Sequence, residues 1–190
     1  MKEQKILEIF NKTNALLKGH FKLSSGLHSG SYFQCALVLQ YPKYAQLLCG
    51  ELAGQFKVDK PDVVIAPAIG GIFVAHEVAR AIGCRSIFTE RENNVMTLRR
   101  GFTIEKSDRV LVVEDVITTG GSTLEVINVV KQTGATIVGV GAIVNRSCEG
   151  IDFGVKFNSL IELNIVTFKP EECPFCKDKV PLVKPGSRRA

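Results

Sequence analysis

The sequence lacks the features that place a chain in a membrane or in an oxidising compartment. No apolar run approaches the roughly 20 residues that cross a bilayer. The charged N-terminus, Met-Lys-Glu-Gln-Lys, has no apolar segment of the kind found in signal peptides. Six cysteines scattered through 190 residues are too few for a disulfide scaffold. We therefore expect a cytoplasmic protein with free thiols.

Internal repeats and low-complexity segments are also absent. A chain of 190 residues, 45% hydrophobic and 23% charged, suits a single domain with a full-sized core. The net charge of +5 fits anionic small molecules, but it would also fit nucleic acid. The charge alone therefore does not identify the ligand.

Apolar runs alternate with helical patterns along the chain. Helices are predicted at residues 2–18 and 42–56, with one ending at Ile82 and one before Gly134. Strands are predicted at two places within 20–34 and at 63–66, 85–89, 110–113, 136–144 and 160–168. Alternating strands and helices predict an α/β fold with a mostly parallel sheet flanked by helices. We expect one domain, with an N-terminal segment at 1–40, a core at 60–168 and an irregular tail at 169–190.

The stretch from Val110 to Thr123 is the most informative part of the sequence. Four apolar residues, Val110 to Val113, predict a buried parallel strand, and Glu114 and Asp115 follow directly. Open α/β sheets bind their ligands at this end of a strand. A loop of small residues then enters a helix: Thr118, Thr119, Gly120, Gly121, Ser122 and Thr123. Its hydroxyls, backbone N–H groups and helix N-terminus predict an anion site.

Carboxylates beside an anion site restrict the ligand. They would repel a phosphate but accept hydrogen bonds from hydroxyls, so a ribose 5-phosphate fits both halves of the stretch. An ordinary helix cap at Asp115 or Thr118 is the alternative, but a cap needs far fewer of these residues. The loop is not a Walker A motif, because no Gly-Lys-Ser/Thr follows the glycines.

Two further segments carry weaker anion signals. Pro67-Ala-Ile-Gly-Gly71 is a turn between a strand and a helix, and beside the first anion site it fits a pyrophosphate. Residues 90–101 contain Arg91, Arg99 and Arg100, and arginine suits bidentate phosphate contacts. A plain tight turn and a solvated charged hairpin, respectively, are the alternatives.

The stretch 110–123 resembles the phosphoribosyl-pyrophosphate (PRPP) motif of the type I phosphoribosyltransferases. Residues 21–34, from Phe21 to Gln34, resemble the signature of the orotate-specific members, and Asn145-Arg146 matches the position of their orotate-binding arginine. The resemblance covers nearly the whole chain in the right order. It implies the type I phosphoribosyltransferase fold, with residues 1–40 as a small hood that binds the base. It also implies transfer of the 5-phosphoribosyl group from PRPP to orotate, giving orotidine 5′-phosphate and pyrophosphate in UMP biosynthesis.

The resemblance also implies a role for individual residues. Glu114, Asp115 and Arg91 would be catalytic, and Thr118 to Thr123 would bind the 5′-phosphate. Pyrophosphate would be held by Ala68, Ile69, Gly70, Gly71, Arg91, Arg99 and Arg100. Orotate would be held by Ser24, Tyr32, Phe33, Thr118 and Arg146. Mg²⁺ would be carried by PRPP without a direct protein ligand, and loop 90–101 would reach the other subunit of a homodimer. Neither nucleic acid nor a membrane is an expected partner.

The chain departs from the family pattern at three places. Many members have a lysine where this chain has Ser24, and many have another where it has Gly70. The loop usually carries lysines and a histidine, whereas arginines are its only basic residues here, as in a subgroup that reads Met-x-Leu-Arg-Arg-Gly. A purine-base phosphoribosyltransferase therefore remains an alternative.

A PRPP-sensing regulator without catalysis is the other alternative. Such regulators carry an added N-terminal DNA-binding domain. Only about 20 residues precede the base motif here, which is too few for a helix-turn-helix module. We therefore favour an enzyme.

The remaining cysteines and histidines that could carry chemistry are not assigned a function. Cys173-Pro-Phe-Cys176 has the spacing of a metal knuckle, but zinc prefers four ligands and the chain has one such pair. A partner subunit or Cys148 could complete a site, yet a reduced thiol pair is the favoured interpretation. His28 is interpreted as a turn residue, and His20 and His76 as surface or helix-flank residues.

Overall fold

The computed structural model describes residues 2–23, 25–147 and 150–185. Its elements form two sheets, one of six strands in the order β5-β4-β3-β6-β7-β8 and one of four in the order β10-β1-β2-β9. Within the described residues, no helix is long and apolar enough to span a bilayer. The helices are α1 (Glu3–Lys12), α2 (Ala36–Leu39), α3 (Pro42–Gly54), α4 (Gly70–Ile82), α5 (Gly121–Thr133) and α6 (Pro174–Lys177). The strands are β1 (Leu16–Lys22), β2 (His28–Phe33), β3 (Val63–Pro67), β4 (Arg85–Glu92), β5 (Val95–Leu98), β6 (Arg109–Ile117), β7 (Thr136–Asn145), β8 (Phe157–Glu162), β9 (Thr167–Phe168) and β10 (Leu182–Val183).

The six-stranded sheet is parallel except for its edge strand β5, which pairs antiparallel with β4. Helices α4 and α5 are the crossovers from β3 to β4 and from β6 to β7. Strand β3 is buried at every position, as expected for a strand covered on both faces. The predicted α/β fold with a mostly parallel sheet is therefore confirmed.

The core lies on both faces of this sheet. Along β6, Leu111 and Val113 point into one apolar cluster, and Val110 and Val112 point into the other. Phe56 covers β7 on the first face, where Gly139 and Gly141 leave room for its ring. A Cβ on Gly139 would lie 2.7 Å from the Phe56 ring, so no larger residue fits there without a shift.

The four-stranded sheet, here called the hood sheet, joins distant parts of the chain. Strands β1 and β2 form an antiparallel hairpin, β9 pairs with β2 and β10 pairs with β1. The first helix is shorter than predicted because the Thr13 hydroxyl bonds the Ile9 carbonyl, 2.8 Å away, and Asn14 adopts a left-handed conformation. Strand β1 therefore begins at Leu16.

The last predicted strand, 160–168, is two strands in different sheets. Strand β8 ends at Glu162 on the edge of the large sheet, and β9 pairs with β2 in the hood sheet. The Ser29 hydroxyl donates to the Val166 carbonyl at 2.8 Å, which holds the chain beside β2. The segment expected as an irregular tail differs as well, since it contains a 3-10 turn at Pro170–Glu172, α6 and β10.

Candidate active site

The two adjacent carboxylates lie on the central strand β6. Glu114 is buried and Asp115 is half-buried. The pairing of β6 with β3 ends at Val112, whereas its pairing with β7 continues to Ile117. The carboxylates thus lie beyond the last backbone pairing of β6 with β3, level with the end of β3 and the turn that follows it. This is the carboxyl-end edge at which parallel sheets bind ligands.

The turn after β3 comes directly against these carboxylates. A Cβ on Gly70 would lie 2.7 Å from Asp115 Oδ2, and one on Gly71 would lie 3.2 Å from Glu114 Oε1 and 2.8 Å from Ala66 Cβ. Glycine is therefore required for the backbone to approach this closely. Ala68 and Ile69, joined by a cis peptide bond, are exposed at the tip of the turn. The structure thus brings together the two segments that the sequence assigns to ribose and pyrophosphate.

The electrostatic environment of Asp115 is unusual for a carboxyl group. Burial raises its pKa, and a hydrogen bond shared with the Glu114 side chain and one from the backbone N–H of Val116, 2.9 Å from Oδ1, oppose that rise. Burial also raises the pKa of the Cys35 thiol, and the charges of Asp115 and Glu114 add to the effect. Cys35 is a neighbour of the acids that the sequence does not indicate. A carboxyl group with a raised pKa at the carboxyl end of a parallel strand is a frequent feature of functional sites.

The loop of small residues follows β6 and begins helix α5. Gly120 has a φ of 73° and is the residue before the helix. A Cβ there would lie 3.0 Å from Ile151 and 3.2 Å from Phe153, so both backbone conformation and packing require glycine. Thr118, Thr119 and Gly121 are exposed, whereas Thr123 is buried. Because glycine has no side chain to cap the helix, the first N–H groups of α5 can bind an anion.

Tyr32 and Arg146 connect the hood sheet to the carboxylates. Arg146 follows β7, and its backbone N–H donates to the Ile117 carbonyl at 2.8 Å. Its guanidinium carbon lies 5.9 Å from the centre of the Tyr32 ring. Burial raises the pKa of Tyr32, the charge of Arg146 lowers it and that of Asp115 raises it. Tyr32 therefore lies within electrostatic reach of both the arginine and the carboxylate.

Of the other residues assigned to the base, Thr118 begins the exposed loop that follows β6, and the Phe33 side chain lies apart from Tyr32 and Arg146. Phe33 is buried in the core, with its ring centre 4.5 Å from that of Phe10, because neighbouring residues of a strand face opposite sides. The Phe33 side chain is therefore part of the core packing, and its assignment to orotate stays a prediction. Ser24 lies outside the described residues.

The segment 90–101 is largely a hairpin rather than an open loop. Strand β4 extends to Glu92 and pairs with β5 across a turn at Asn93 and Asn94, which both have positive φ. Each of its arginines contacts a carboxylate: Arg91 with Glu125 of α5, Arg99 with Glu92 at 3.3 Å, and Arg100 with Glu90 at 2.7 and 2.9 Å. The charged-hairpin alternative therefore describes this structure.

A second group of chemistry-bearing side chains lies in the hood sheet. His20, His28, Cys173 and Cys176 present ligand atoms that all lie within 4.8 Å of one another. The interpretations of His28 as a turn residue and of His20 as a surface residue are wrong, because both histidines are buried. The Cys-x-x-Cys spacing was the part of the sequence that indicated this group. The two histidines come from the other end of the chain, so the spacing alone did not reveal them.

Comparisons with known proteins identify the family to which the chain and its fold belong. Residues 43–172 match the model of the phosphoribosyl transferase domain. The orotate phosphoribosyltransferases of Pelotomaculum thermopropionicum and Caldanaerobacter subterraneus subsp. tengcongensis are 58% and 59% identical over 189 residues, covering all of both chains. The crystal structure of orotate phosphoribosyltransferase from Aeropyrum pernix superposes with a TM-score of 0.71 at 28% identity, over 83% of this chain and 93% of that one. The chain therefore belongs to the type I phosphoribosyltransferases and, within them, to the orotate phosphoribosyltransferase family.

Proposed function

We infer that the protein transfers the 5-phosphoribosyl group of PRPP to orotate, giving orotidine 5′-phosphate and pyrophosphate in pyrimidine biosynthesis. The observation that carries the inference is the approach of the Gly70-Gly71 turn to Glu114 and Asp115, with the anion loop of residues 118–123 following on the same strand. Relatives that match the whole chain are named orotate phosphoribosyltransferases, which favours orotate over a purine base and an enzyme over a regulator.

Glu114 and Asp115 are proposed to hold the ribose hydroxyls. Positive charge develops on the ribose ring as its bond to pyrophosphate breaks, and nearby carboxylates stabilise that charge. The burial that raises the pKa of Asp115 also lowers the local polarity, so its interaction with the ring is stronger than it would be in water. Fixed charge and positioning then account for catalysis without a protein nucleophile.

The phosphates of PRPP are proposed to occupy two backbone sites. The 5′-phosphate binds the loop from Thr118 to Thr123, and the pyrophosphate binds the turn from Ala68 to Gly71. The hairpin arginines Arg91, Arg99 and Arg100 contribute once they exchange their carboxylate partners for phosphate oxygens. Their present ion pairs are solvent-exposed and hence weak, so this exchange opposes binding little.

Orotate is proposed to lie between Arg146 and the anion loop. Its carboxylate suits the guanidinium of Arg146, and Tyr32, whose ring faces that guanidinium, lines the same space. Thr118 is exposed at the start of the loop and is within the segment that would contact the base.

We propose that Mg²⁺ would be held by phosphate oxygens of PRPP near the turn from Ala68 to Gly71, and that it would supply positive charge to stabilise the pyrophosphate leaving group. Mg²⁺ usually keeps several waters and binds substrate phosphates, and the glycine turn next to both acids places no side chain in that space. Glu114 and Asp115 then bind the ribose, and the metal needs no direct protein ligand.

We also propose that the protein is a homodimer and that it is located in the cytoplasm. Large apolar side chains are exposed beside the site and on the hairpin: Ile69 is 74% exposed, Phe73 59% and Val95 63%. Such side chains favour a partner subunit that the hairpin can reach. Free thiols at the five cysteines that the structure describes suit a reducing compartment.

An absorbance assay with PRPP and Mg²⁺ tests the reaction, with orotate, uracil, xanthine, hypoxanthine and adenine in separate reactions. Turnover of orotate alone is the expected result. Turnover of a purine would agree with the assignment of the phosphoribosyl site but would contradict the assignment of orotate as the base. Tight PRPP binding without turnover of any base would favour the regulator.

A further inference from the structure

Four metal-ligating side chains converge against the hood sheet, apart from the carboxylates of β6. They are His20 of β1, His28 of β2, Cys173, which directly precedes α6, and Cys176, which lies within α6. We call them the His–Cys cluster. His20, His28 and Cys173 are buried and Cys176 is exposed. Two thiols and two imidazoles are a ligand set typical of structural zinc sites.

The distances within the cluster match those around a single tetrahedral ion. His20 Nε2 lies 3.0 Å from His28 Nδ1 and 3.5 Å from Cys173 Sγ. Cys176 Sγ lies 3.3 Å from His28 Nδ1 and 3.7 Å from His20 Nε2. Tetrahedral zinc, with bonds of about 2.05 Å to nitrogen and 2.3 Å to sulfur, requires nitrogen–nitrogen separations of about 3.3 Å and nitrogen–sulfur separations of about 3.6 Å. The observed separations agree within a few tenths of an ångström.

A backbone carbonyl sets the tautomer of His20. Its Nδ1 lies 2.8 Å from the carbonyl oxygen of Val180. Because a carbonyl can only accept a hydrogen bond, Nδ1 carries the proton and Nε2 presents a lone pair to the cluster. A histidine that donates its outer N–H to a carbonyl while its other nitrogen faces inward is the usual arrangement of a metal ligand.

The packing around the cluster holds the Cys-x-x-Cys turn against the β1–β2 hairpin. The ring of Phe175 stacks on His20, with centres 5.7 Å apart and planes 29° apart, and also contacts Phe168. Gly30 of β2 lies under the same ring, and a Cβ there would overlap it. His28 pairs with Lys22 across the hairpin, which places His20 on a diagonal from His28 and on the same face.

Charge balance favours a divalent cation at the centre. Two thiolates and two neutral imidazoles carry a charge of −2, which one Zn²⁺ cancels, and burial of a neutral centre costs far less than burial of separate charges. Four protein ligands leave no open position for a substrate, which is the pattern of a structural rather than a catalytic site. We propose that His20, His28, Cys173 and Cys176 bind one structural Zn²⁺ that fastens the segment 167–183 to the hood hairpin. This proposal is independent of the proposed function.

Metal content tests the proposal directly. Full-length protein purified with a reductant and without chelator is expected to contain about one zinc per chain. After exchange with Co²⁺, the protein should show the strong visible absorption of a tetrahedral thiolate site. Cys176→Ser and His28→Gln should both lose the bound zinc. Cys84→Ser and His76→Gln, which change the same residue types outside the cluster, should retain it.

A stability measurement on the unaltered chain complements the variants, because loss of a buried ligand can prevent folding. Treatment with a zinc chelator should lower the melting temperature, and Zn²⁺ but not Mg²⁺ should restore it. Protein that holds no zinc and binds no Co²⁺ would overturn the proposal. A Cys173–Cys176 disulfide, detected by mass spectrometry after alkylation without reduction, would overturn it in favour of a redox pair.

Discussion

The candidate active site and the His–Cys cluster assemble polar side chains in opposite ways. At the active site, the acids and the loop that is proposed to bind phosphate belong to one continuous stretch, residues 114–123. The site lies open at the carboxyl end of the parallel strands. In the cluster, His20 and Cys173 are 153 positions apart, and their ligand atoms face one another in a closed group. An open, local site suits a ligand that enters and leaves at each turnover. A closed, non-local site suits a permanent connection between distant segments.

This difference predicts how substitutions should act. Changes at the active site should alter kinetics more than stability, and changes at the cluster should do the reverse. Substitutions at and around the active site test the first half of that statement.

Asp115→Asn should reduce turnover by about 10²–10³-fold, because it removes a charge next to the reacting ring. The same substitution should raise the stability of the protein. The pKa of Asp115 is raised on folding, so the protein loses stability as the pH rises through that pKa, and the ionised group is unfavourable at neutral pH. Asparagine keeps the acceptor for the Val116 N–H, and the melting temperature at neutral pH should rise by a few degrees.

Steady-state kinetics and thermal unfolding of Asp115→Asn, measured together, test this prediction. Glu8→Gln, which neutralises an exposed carboxylate on α1, is the control and should change neither quantity. Unchanged turnover of Asp115→Asn would contradict the ribose assignment. A large drop in its melting temperature would contradict the expectation that changes at the active site alter kinetics more than stability.

Arg146→Ala should raise the KM for orotate about 10–100-fold, because hydrogen bonds to a charged group contribute about 1.5–3 kcal/mol. The KM for PRPP should change much less. Tyr32→Phe keeps the ring beside Arg146 and removes only the hydroxyl, so it should have a smaller effect on orotate. Equal losses for both substrates in Arg146→Ala would argue against a role in base recognition.

Gly70→Ala should lower kcat/KM for PRPP about tenfold, because its Cβ would lie 2.7 Å from Asp115 Oδ2 and displace the carboxylate. Gly50→Ala is the matched control, since nothing lies within 4 Å of a Cβ at that position in α3. The control should keep full activity and gain about 0.5–1 kcal/mol of stability from the improved helix propensity. Normal PRPP kinetics in Gly70→Ala would show that the turn and the acid do not act together.

Glu90→Gln should have the smallest effect, a rise in PRPP affinity of up to about threefold, because it releases Arg100 from an exposed ion pair. The bound arginine lowers the pKa of Glu90, so the pair supports the fold at neutral pH, and that support is lost as the pH falls through the lowered pKa. Titration of PRPP at low and high salt checks the prediction, since added salt should remove the difference between the variant and the wild type. A weaker affinity would indicate that Glu90 positions Arg100 for the ligand.

The sequence predicted those parts of the molecule that depend on local patterns. The alternation of strands and helices, the start of α3 at Pro42 and the glycine that ends α4 follow from turn chemistry and periodicity alone. The contiguous motif at 110–123 likewise indicated the position of the acids, because strand, acids and loop are neighbours in the chain.

Features that depend on distant contacts could not be predicted in this way. The side of β2 that faces the core is set by Phe10, so the sequence did not show that Phe33 packs there while Tyr32 faces Arg146. The split of residues 160–168 between two sheets depends on the contact of Ser29 with Val166. The four ligands of the His–Cys cluster meet only when the hood sheet has formed, and Cys-x-x-Cys alone gives half of a ligand set.

The pairing of the hood sheet has a consequence for the order in which the protein forms during synthesis. Every strand of the six-stranded sheet has been made once Glu162 has, so that sheet has all its strands before β9 and β10 exist. Strands β1 and β2 are made early, but their neighbours β9 and β10 are among the last described segments to be made. An isolated two-stranded hairpin is only marginally stable in water. The six-stranded sheet should therefore be complete before the hood sheet, whose strands β9 and β10 are made later than all of its strands.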